Sequence, residues 1–194
     1  MQSTRPKAFL LDADVVIHLH TMGLWTPLCT QADVCVPSVV ARIEVLHYVE
    51  PETELCIGID LLADIGAQRV TEYSASADDM RLLDPLGRMV LEGLHEGERE
   101  ALALMCSGRL PPGSRLCSAD QAAVRAAVLL SHDGHCSSLE GVLQSAGIRP
   151  RVPIGEQFTD RRFQTYVRLA AAERTQLVLN GLHSPGARRR GSRT

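Results

Sequence analysis

Phe9-Leu10-Leu11 is a continuous apolar run that climbs to Asp12, and a second acid, Asp14, follows two positions on. A strand covered on both faces is apolar throughout, so this run predicts the end of a buried parallel strand. Asp12 then falls at the carboxyl edge of the sheet, where open α/β sheets bind their ligands. An aspartate is too strongly solvated to be put there for packing unless something cationic meets it. Its other reading is a helix N-cap ahead of the apolar Val15-Val16-Ile17.

The pattern continues in alternating elements. His18 to about Cys29 predicts a short helix (Leu19, Met22, Leu24, Trp25, Leu28) halted near Pro27. Asp33 to Val36 predicts a second strand. Pro37-Ser38 then opens a helix with Ser38 as N-cap and Val39, Ile43 and Leu46 as its apolar stripe. Glu44 lies beside that stripe, in line with Val40 and His47. Glu54 to Ala67 reads as a helix and Gln68 to Tyr73 as a strand. Asp78 to Leu94 carries a helical pattern divided by Pro85. His95 to Glu100 is an acidic helix start, which the helix dipole favours, and it leads into a buried body that Gly108 ends. Arg115 to Ser118 predicts a strand, Asp120 precedes a buried alanine-rich helix, Asp133 to Cys136 predicts a last strand, and Leu139 to Ala146 a helix. Strands alternating with helices predict an α/β protein whose parallel sheet of about four to five strands is flanked by helices. From Pro150 the composition shifts, and two helices, Phe158 to Leu169 and Ala171 to Leu182, form a helical C-terminal extension. The expected organisation is an α/β unit over 1–149, an extension over 150–183 and a disordered basic tail over 184–194.

Composition narrows the function classes. The 194 residues suffice for one domain with an appendage. Net charge is -3, so the chain does not hold nucleic acid by bulk positive charge, and any phosphate must meet a local cation or bound metal. Aromatics are 4%, too few for base-stacking platforms to be the main device. The six cysteines have no C-x-x-C pair, and the first apolar run meets Asp12 too soon for a signal peptide. They read as reduced thiols of a cytoplasmic protein, and no apolar run is long enough to span a membrane.

Four acids stand out by position. Asp12 follows the first strand, Glu44 rides the Ser38 helix, Glu98 starts a buried helix, and Asp120 follows the Leu116 strand. In a parallel sheet all four can face one edge. Carboxylates gathered without partners raise each other's pKa, and a hard divalent ion such as Mg²⁺ or Mn²⁺ resolves the repulsion with oxygen ligands. Each acid also has a plain reading: Asp120 as a cap, Glu98 and Glu100 as dipole-complementing acids, Glu44 as a partner of Arg42. The histidine groups His18-Leu19-His20 and His132 to His135 supply no four-ligand zinc spacing. His47 reads as a half-buried helix residue.

In this order the residues resemble the PIN domain, a metal-dependent ribonuclease fold. Leu11-Asp12-Ala13-Asp14-Val15 resembles the family's opening strand and first aspartate; Val36-Pro37-Ser38-Val39-Val40 with Glu44, its second acid. Gly97-Glu98-Arg99-Glu100-Ala101 resembles the Gly-Glu form of the third acidic position, and Ser118-Ala119-Asp120 the Thr-x-Asp element with the fourth acid and a supporting hydroxyl. Ser138 to Leu143 is similar to a segment often found after it. The resemblance covers about residues 7 to 148. Asp14 departs from the family's usual Asn or Ser and adds a carboxylate. Ala119 replaces an acid of some relatives. Glu96, Glu98 and Glu100 compete for the third role, and Glu98 aligns best.

What the resemblance implies is an Mg²⁺- or Mn²⁺-dependent endoribonuclease that leaves a 3′-hydroxyl and a 5′-phosphate. Asp12, Glu44, Glu98 and Asp120 would be the catalytic and metal-holding residues, with Asp14, Ser118 and Glu100 supporting them. RNA is the implied substrate. The family also includes toxins of toxin–antitoxin pairs, so an antitoxin protein is an implied partner, and the extension could form a homodimer interface or cover the site. Two rivals start from the same residues. One is a PIN-like module that binds nucleic acid or protein without cutting. The other is a haloacid-dehalogenase-like phosphatase, whose D-x-D-x-[TV] signature fits Asp12-Ala13-Asp14-Val15. That mechanism needs a lysine downstream, and the only lysine, Lys7, precedes the strand.

Overall fold

The computed structural model describes residues 8–180; Lys7, Leu182 and the basic stretch from Ser184 lie outside them. Five parallel strands form the main sheet among these residues. Its order is β5 (Val70–Tyr73), β2 (Asp33–Pro37), β1 (Ala8–Leu11), β6 (Arg115–Cys117) and β7 (Cys136–Ser137). The fold is α/β, as the alternating pattern predicts.

The central strand shows why its apolar run is unbroken. Side chains alternate between faces along a strand. Phe9 and Leu11 enter one core with Val15, Val16 and Leu19 of α1 (Ala13–Thr21) and Leu139, Val142 and Leu143 of α8 (Leu139–Ser145). Leu10 enters the other with Leu102 and Leu104 of α6 (Glu96–Ser107), Ala123 and Ala127 of α7 (Gln121–Leu129) and Phe163 of α9 (Asp160–Leu179). Helices therefore cover both faces, and β1 has no polar side.

Strand order sets the position of the crevice. From β1 the chain crosses to β2 on one side, and from β6 it crosses to β7 on the other. Departures in opposite directions open a gap at the carboxyl ends of β1 and β6, the kind of switch point at which α/β sheets bind ligands. Asp12 and Asp120 flank it.

Several boundaries differ from expectation. The first helix starts at Ala13, directly after the strand, and is followed by α2 (Trp25–Gln31) rather than running on to Cys29. The break is at Gly23, whose φ of 65° favours glycine, and not at Pro27, which sits in the first turn of α2 where its missing N–H is not needed. The helix expected from Ser38 to Leu46 is a short turn whose last part, Val40–Glu44, is π-helical, with Val45 N–H donating to the Val40 carbonyl. It buries Val40, Ala41 and Val45 and leaves Ile43 and Leu46 exposed. His47 is exposed and belongs to β3 (His47–Val49), which pairs antiparallel with β4 (Cys56–Gly58). Glu54 to Ala67 holds this β4 and α3 (Leu61–Gly66) instead of one helix, and the pattern from Asp78 to Leu94 becomes α4 (Ala77–Met80) and α5 (Gly87–Glu92) with a 3₁₀ turn at Arg81–Leu86 between them. The last strand is Cys136–Ser137, preceded by a 3₁₀ turn at Asp133–His135.

Among the described residues past Pro150 a 3₁₀ turn at Glu156–Phe158 leads into one α-helix, α9, where two helices were expected. It packs along α7. Arg125 pairs with Glu173 at 2.6 Å, and Arg174 donates to the Val128 carbonyl at 2.7 Å. Phe163 and Ala170 are buried. No helix among the described residues is long and apolar enough to cross a membrane.

Because Phe163 fills the core that also holds Leu10, Phe163→Ala should lower the unfolding free energy by about 3 kcal/mol. Urea denaturation followed by circular dichroism measures this. A loss well under 1 kcal/mol, roughly a surface value, would show that α9 adds little to the core.

Candidate functional site at the carboxyl edge of the sheet

Asp12 lies one residue past β1 and is 5% exposed. Its backbone N–H continues the ladder by donating to the Cys117 carbonyl. Its Oδ1 accepts the Ala13 N–H at 2.8 Å, so the cap reading is correct. Its Oδ2 accepts the Ser118 hydroxyl at 2.7 Å. The same hydroxyl accepts the Asp120 N–H at 3.1 Å, so Ser118 ties the first and fourth acids together. Asp120 caps α7 through Oδ1, which accepts from the N–H groups of Ala122 and Ala123.

The other two acids meet at the start of α6. Glu98 is 5% exposed, and its Oε2 accepts the His95 N–H at 2.9 Å. Glu44, at the end of the π-helical turn, directs Oε1 to the Gly97 N–H at 3.1 Å. Asp12, Asp14, Glu44, Glu98 and Asp120 line one cleft of about 330 Å³, together with Ala13, Ile17 and His95. Among the described residues no lysine or arginine lines it.

The supporting residues divide. Ser118 contacts two of the acids, and Asp14 is exposed on the cleft wall. Glu100 does not line the cleft. Its carboxylate accepts the Ser38 hydroxyl and Val39 N–H at 2.7 Å each and the Ala75 N–H at 3.0 Å, which fastens α6 to the ends of β2 and β5. Ser38 thus bonds Glu100 instead of capping its own helix. Glu96 is exposed, so Glu98 is the one of the three that faces the cleft. Arg42 does not neutralise Glu44, because both its hydrogen bonds go to Glu72. His95 is a cleft-lining residue that the sequence reading passed over; its place directly before the acidic helix start was the available signal.

Burial and crowding change the acids. Burial pushes the Asp12 carboxyl up to about 6, against the hydrogen bonds from Ser118 and Ala13, and Asp14 and Glu44 push in the same direction as burial. Burial pushes Glu98 up to about 8. The His95 N–H opposes this, and the charges of Asp120, Asp12 and Glu44 add to it.

Among the described residues, no group of three or more His, Cys, Asp or Glu side chains stands as close as in a formed metal site. The donor chemistry still fits a hard divalent ion. All ligand candidates are carboxylates. Hydrogen bonds reach both oxygens of Asp12, but only Oε1 of Glu44, Oε2 of Glu98 and Oδ1 of Asp120. Magnesium commonly keeps several waters and binds through one or two carboxylates, so a loosely set acidic ring suits it.

The histidines on α1 take structural roles. His18 stacks on Phe158 with centroids 4.0 Å apart, and His20 stacks on Trp25 at 4.9 Å. All six cysteines are free thiols.

Compared with known protein families, with curated proteins and with solved structures, the chain matches none.

Glu98 generates a pH test. Its folded pKa, about 8, lies above the ordinary 4.5, so the folded chain holds the extra proton between those values. Its contribution is complete below about pH 4.5 and is lost as pH rises towards 8. In chelator, the melting temperature of wild type should fall relative to Glu98→Gln between pH 6.5 and 8.5. Parallel profiles would mean that Glu98 is ionised at neutral pH.

Proposed function

We propose that the chain is a PIN-like, Mg²⁺- or Mn²⁺-dependent endoribonuclease acting in the cytoplasm. One observation carries this reading: Asp12, Glu44, Glu98 and Asp120, from four distant segments, line a single cleft at the carboxyl edge of the sheet with no lysine or arginine of the described residues beside them. An RNA phosphodiester would be repelled by such a wall unless a cation neutralised it. The order of the four acids along the chain supports the PIN-like reading.

In this reading Asp12, Glu44, Glu98 and Asp120 hold the ion, directly or through water. When bound, the ion supplies activation of water and steadying of the leaving oxygen. Ser118 fixes the separation of Asp12 and Asp120 through its hydroxyl. Capping of α1 by Asp12 and of α7 by Asp120 holds both carboxylates at the edge before any ligand arrives. Asp14 adds negative charge at the mouth. Glu100 positions α6 and hence Glu98. Cleavage leaves a 3′-hydroxyl and a 5′-phosphate. The wider reading, a toxin restrained by an antitoxin protein, follows from the resemblance alone, and the homodimer reading rests on the C-terminal extension.

The test combines binding and cleavage. Mn²⁺ at about a hundredfold above its dissociation constant should stabilise the fold by about 2.7 kcal/mol. Wild type should cut single-stranded or structured RNA only with the ion present. Asp12→Asn and Asp120→Asn should abolish cutting, with Asp12→Asn melting at the same temperature or higher because repulsion is relieved. RNA binding with neither cleavage nor an Mn²⁺ shift would replace the nuclease with a non-catalytic binding module.

A further inference from the structure

Gly97 has two features that nothing else at the site shares. Its N–H donates to Glu44 Oε1 at 3.1 Å. A Cβ built on it would lie 2.2 Å from Glu44 Oε2, 2.9 Å from Glu44 Cδ and 3.0 Å from Val40 Cγ2. The first two distances are far inside van der Waals contact, so any side chain at 97 must displace the Glu44 carboxylate. The backbone does not need glycine here, because Gly97 is not among the glycines of positive φ. It lies in the first turn of the 12-residue α6 and is buried. In such a helical position glycine is ordinarily worse than alanine. Local stability therefore argues against Gly97, and the space taken by Glu44 argues for it.

We propose that Gly97 is a positioning residue for the acidic site: it is glycine so that the Glu44 carboxylate can lie against the α6 backbone and face Asp12, Glu98 and Asp120. The atoms in collision belong to the far end of a flexible side chain. A methyl at 97 can push them aside while the fold stays intact, with Val40 giving by a few tenths of an ångström. What is lost is the seat of the second acid. Glu44 needs such a seat because it ends a π-helical turn and not a regular helix. Its direction is set by what it meets and not by its own element. The inference about geometry stands on contacts alone; its consequence for metal binding rests on the function proposed above.

Gly97→Ala tests it in two measurements on the full chain. The first is a double-mutant cycle in chelator. In wild type, alanine gains helix propensity and loses the Glu44 contact, so the melting temperature should be unchanged or slightly higher. In the Glu44→Ala background the collision with the carboxylate is gone and only the tight Val40 contact remains, so the same substitution should raise the melting temperature by a clearly larger amount. Equal effects in the two backgrounds would overturn the proposal. So would a wild-type-background loss of many degrees, which would make Gly97 a requirement of the fold. The second measurement is the Mn²⁺ concentration that gives half of the melting shift. It should rise at least tenfold in Gly97→Ala, by as much as in Glu44→Gln, and no further in the double variant. A Gly97→Ala midpoint equal to wild type would overturn the consequence for binding. If wild type itself shows no Mn²⁺ shift, the metal reading fails, and the chelator cycle still decides the role of Gly97.

Discussion

Backbone N–H groups at the starts of three helices hold the acids of this protein where they are. A parallel sheet puts all its strand-to-helix junctions on one edge, and each helix that begins there brings unpaired donors and the positive end of its dipole. Asp12 takes the Ala13 N–H at the start of α1, and Asp120 takes two at the start of α7. Glu98 takes the His95 N–H and Glu44 the Gly97 N–H at the start of α6. The donors let carboxylates stand close together on a largely buried floor. They do not offset burial, which still pushes the Glu98 carboxyl up to about 8 with the charges of Asp120, Asp12 and Glu44 adding to it.

Capping and ligand-holding are therefore not competing roles. Asp120 was readable from the sequence either as a cap or as a site residue, and the structure makes it a cap with one oxygen left over. The cap fixes the rotamer, and a fixed rotamer is what a binding site needs from a side chain. Asp12 is more constrained, with one oxygen on Ala13 and the other on Ser118. Of the four acids it is the one whose direction a ligand can change least.

The parts of the fold that proved legible are those in which a local pattern has one structural outcome. Phe9 to Leu11 is apolar throughout because two cores need both faces of β1, and the acid that ends it marks the edge. The same logic located Ser118 and Asp120. Legibility failed where distant residues decide. The sequence favours Glu98 for the third acid, and Glu98 lines the cleft, but nothing local shows what Glu100 does two positions on. The answer lies with Ser38, Val39 and Ala75, which capture Glu100 from 25 to 62 positions away. The stripe Val39, Ile43 and Leu46 assumed a regular helix. The π-helical geometry rotates the register, buries Val40, Ala41 and Val45 instead, and still delivers Glu44 to the cleft. The two expected C-terminal helices are one α-helix through Leu179 because no strong breaker separates Leu169 from Ala171, and α7 holds its later part through Glu173 and Arg174.

The net charge of -3 hides how the charges are placed. Arginines are numerous, yet many are bound to acids away from the cleft: Arg42 to Glu72, Arg69 to Asp64, Arg109 to Asp79, Arg125 to Glu173 and Arg174 to Asp133. Pairing at those places fastens loops and α9 to the core and removes the same cations from the carboxyl edge. Five carboxylates are left facing one another across a cleft that no arginine of the described residues lines. A random scatter of 20 basic residues and 23 acidic ones would put some of each sign there. Among the described residues, nothing at this one place supplies the neutralising charge. A partner that supplied it as a side chain would have to fit a space of about 330 Å³, whereas a hydrated divalent ion needs only the oxygens already turned inward.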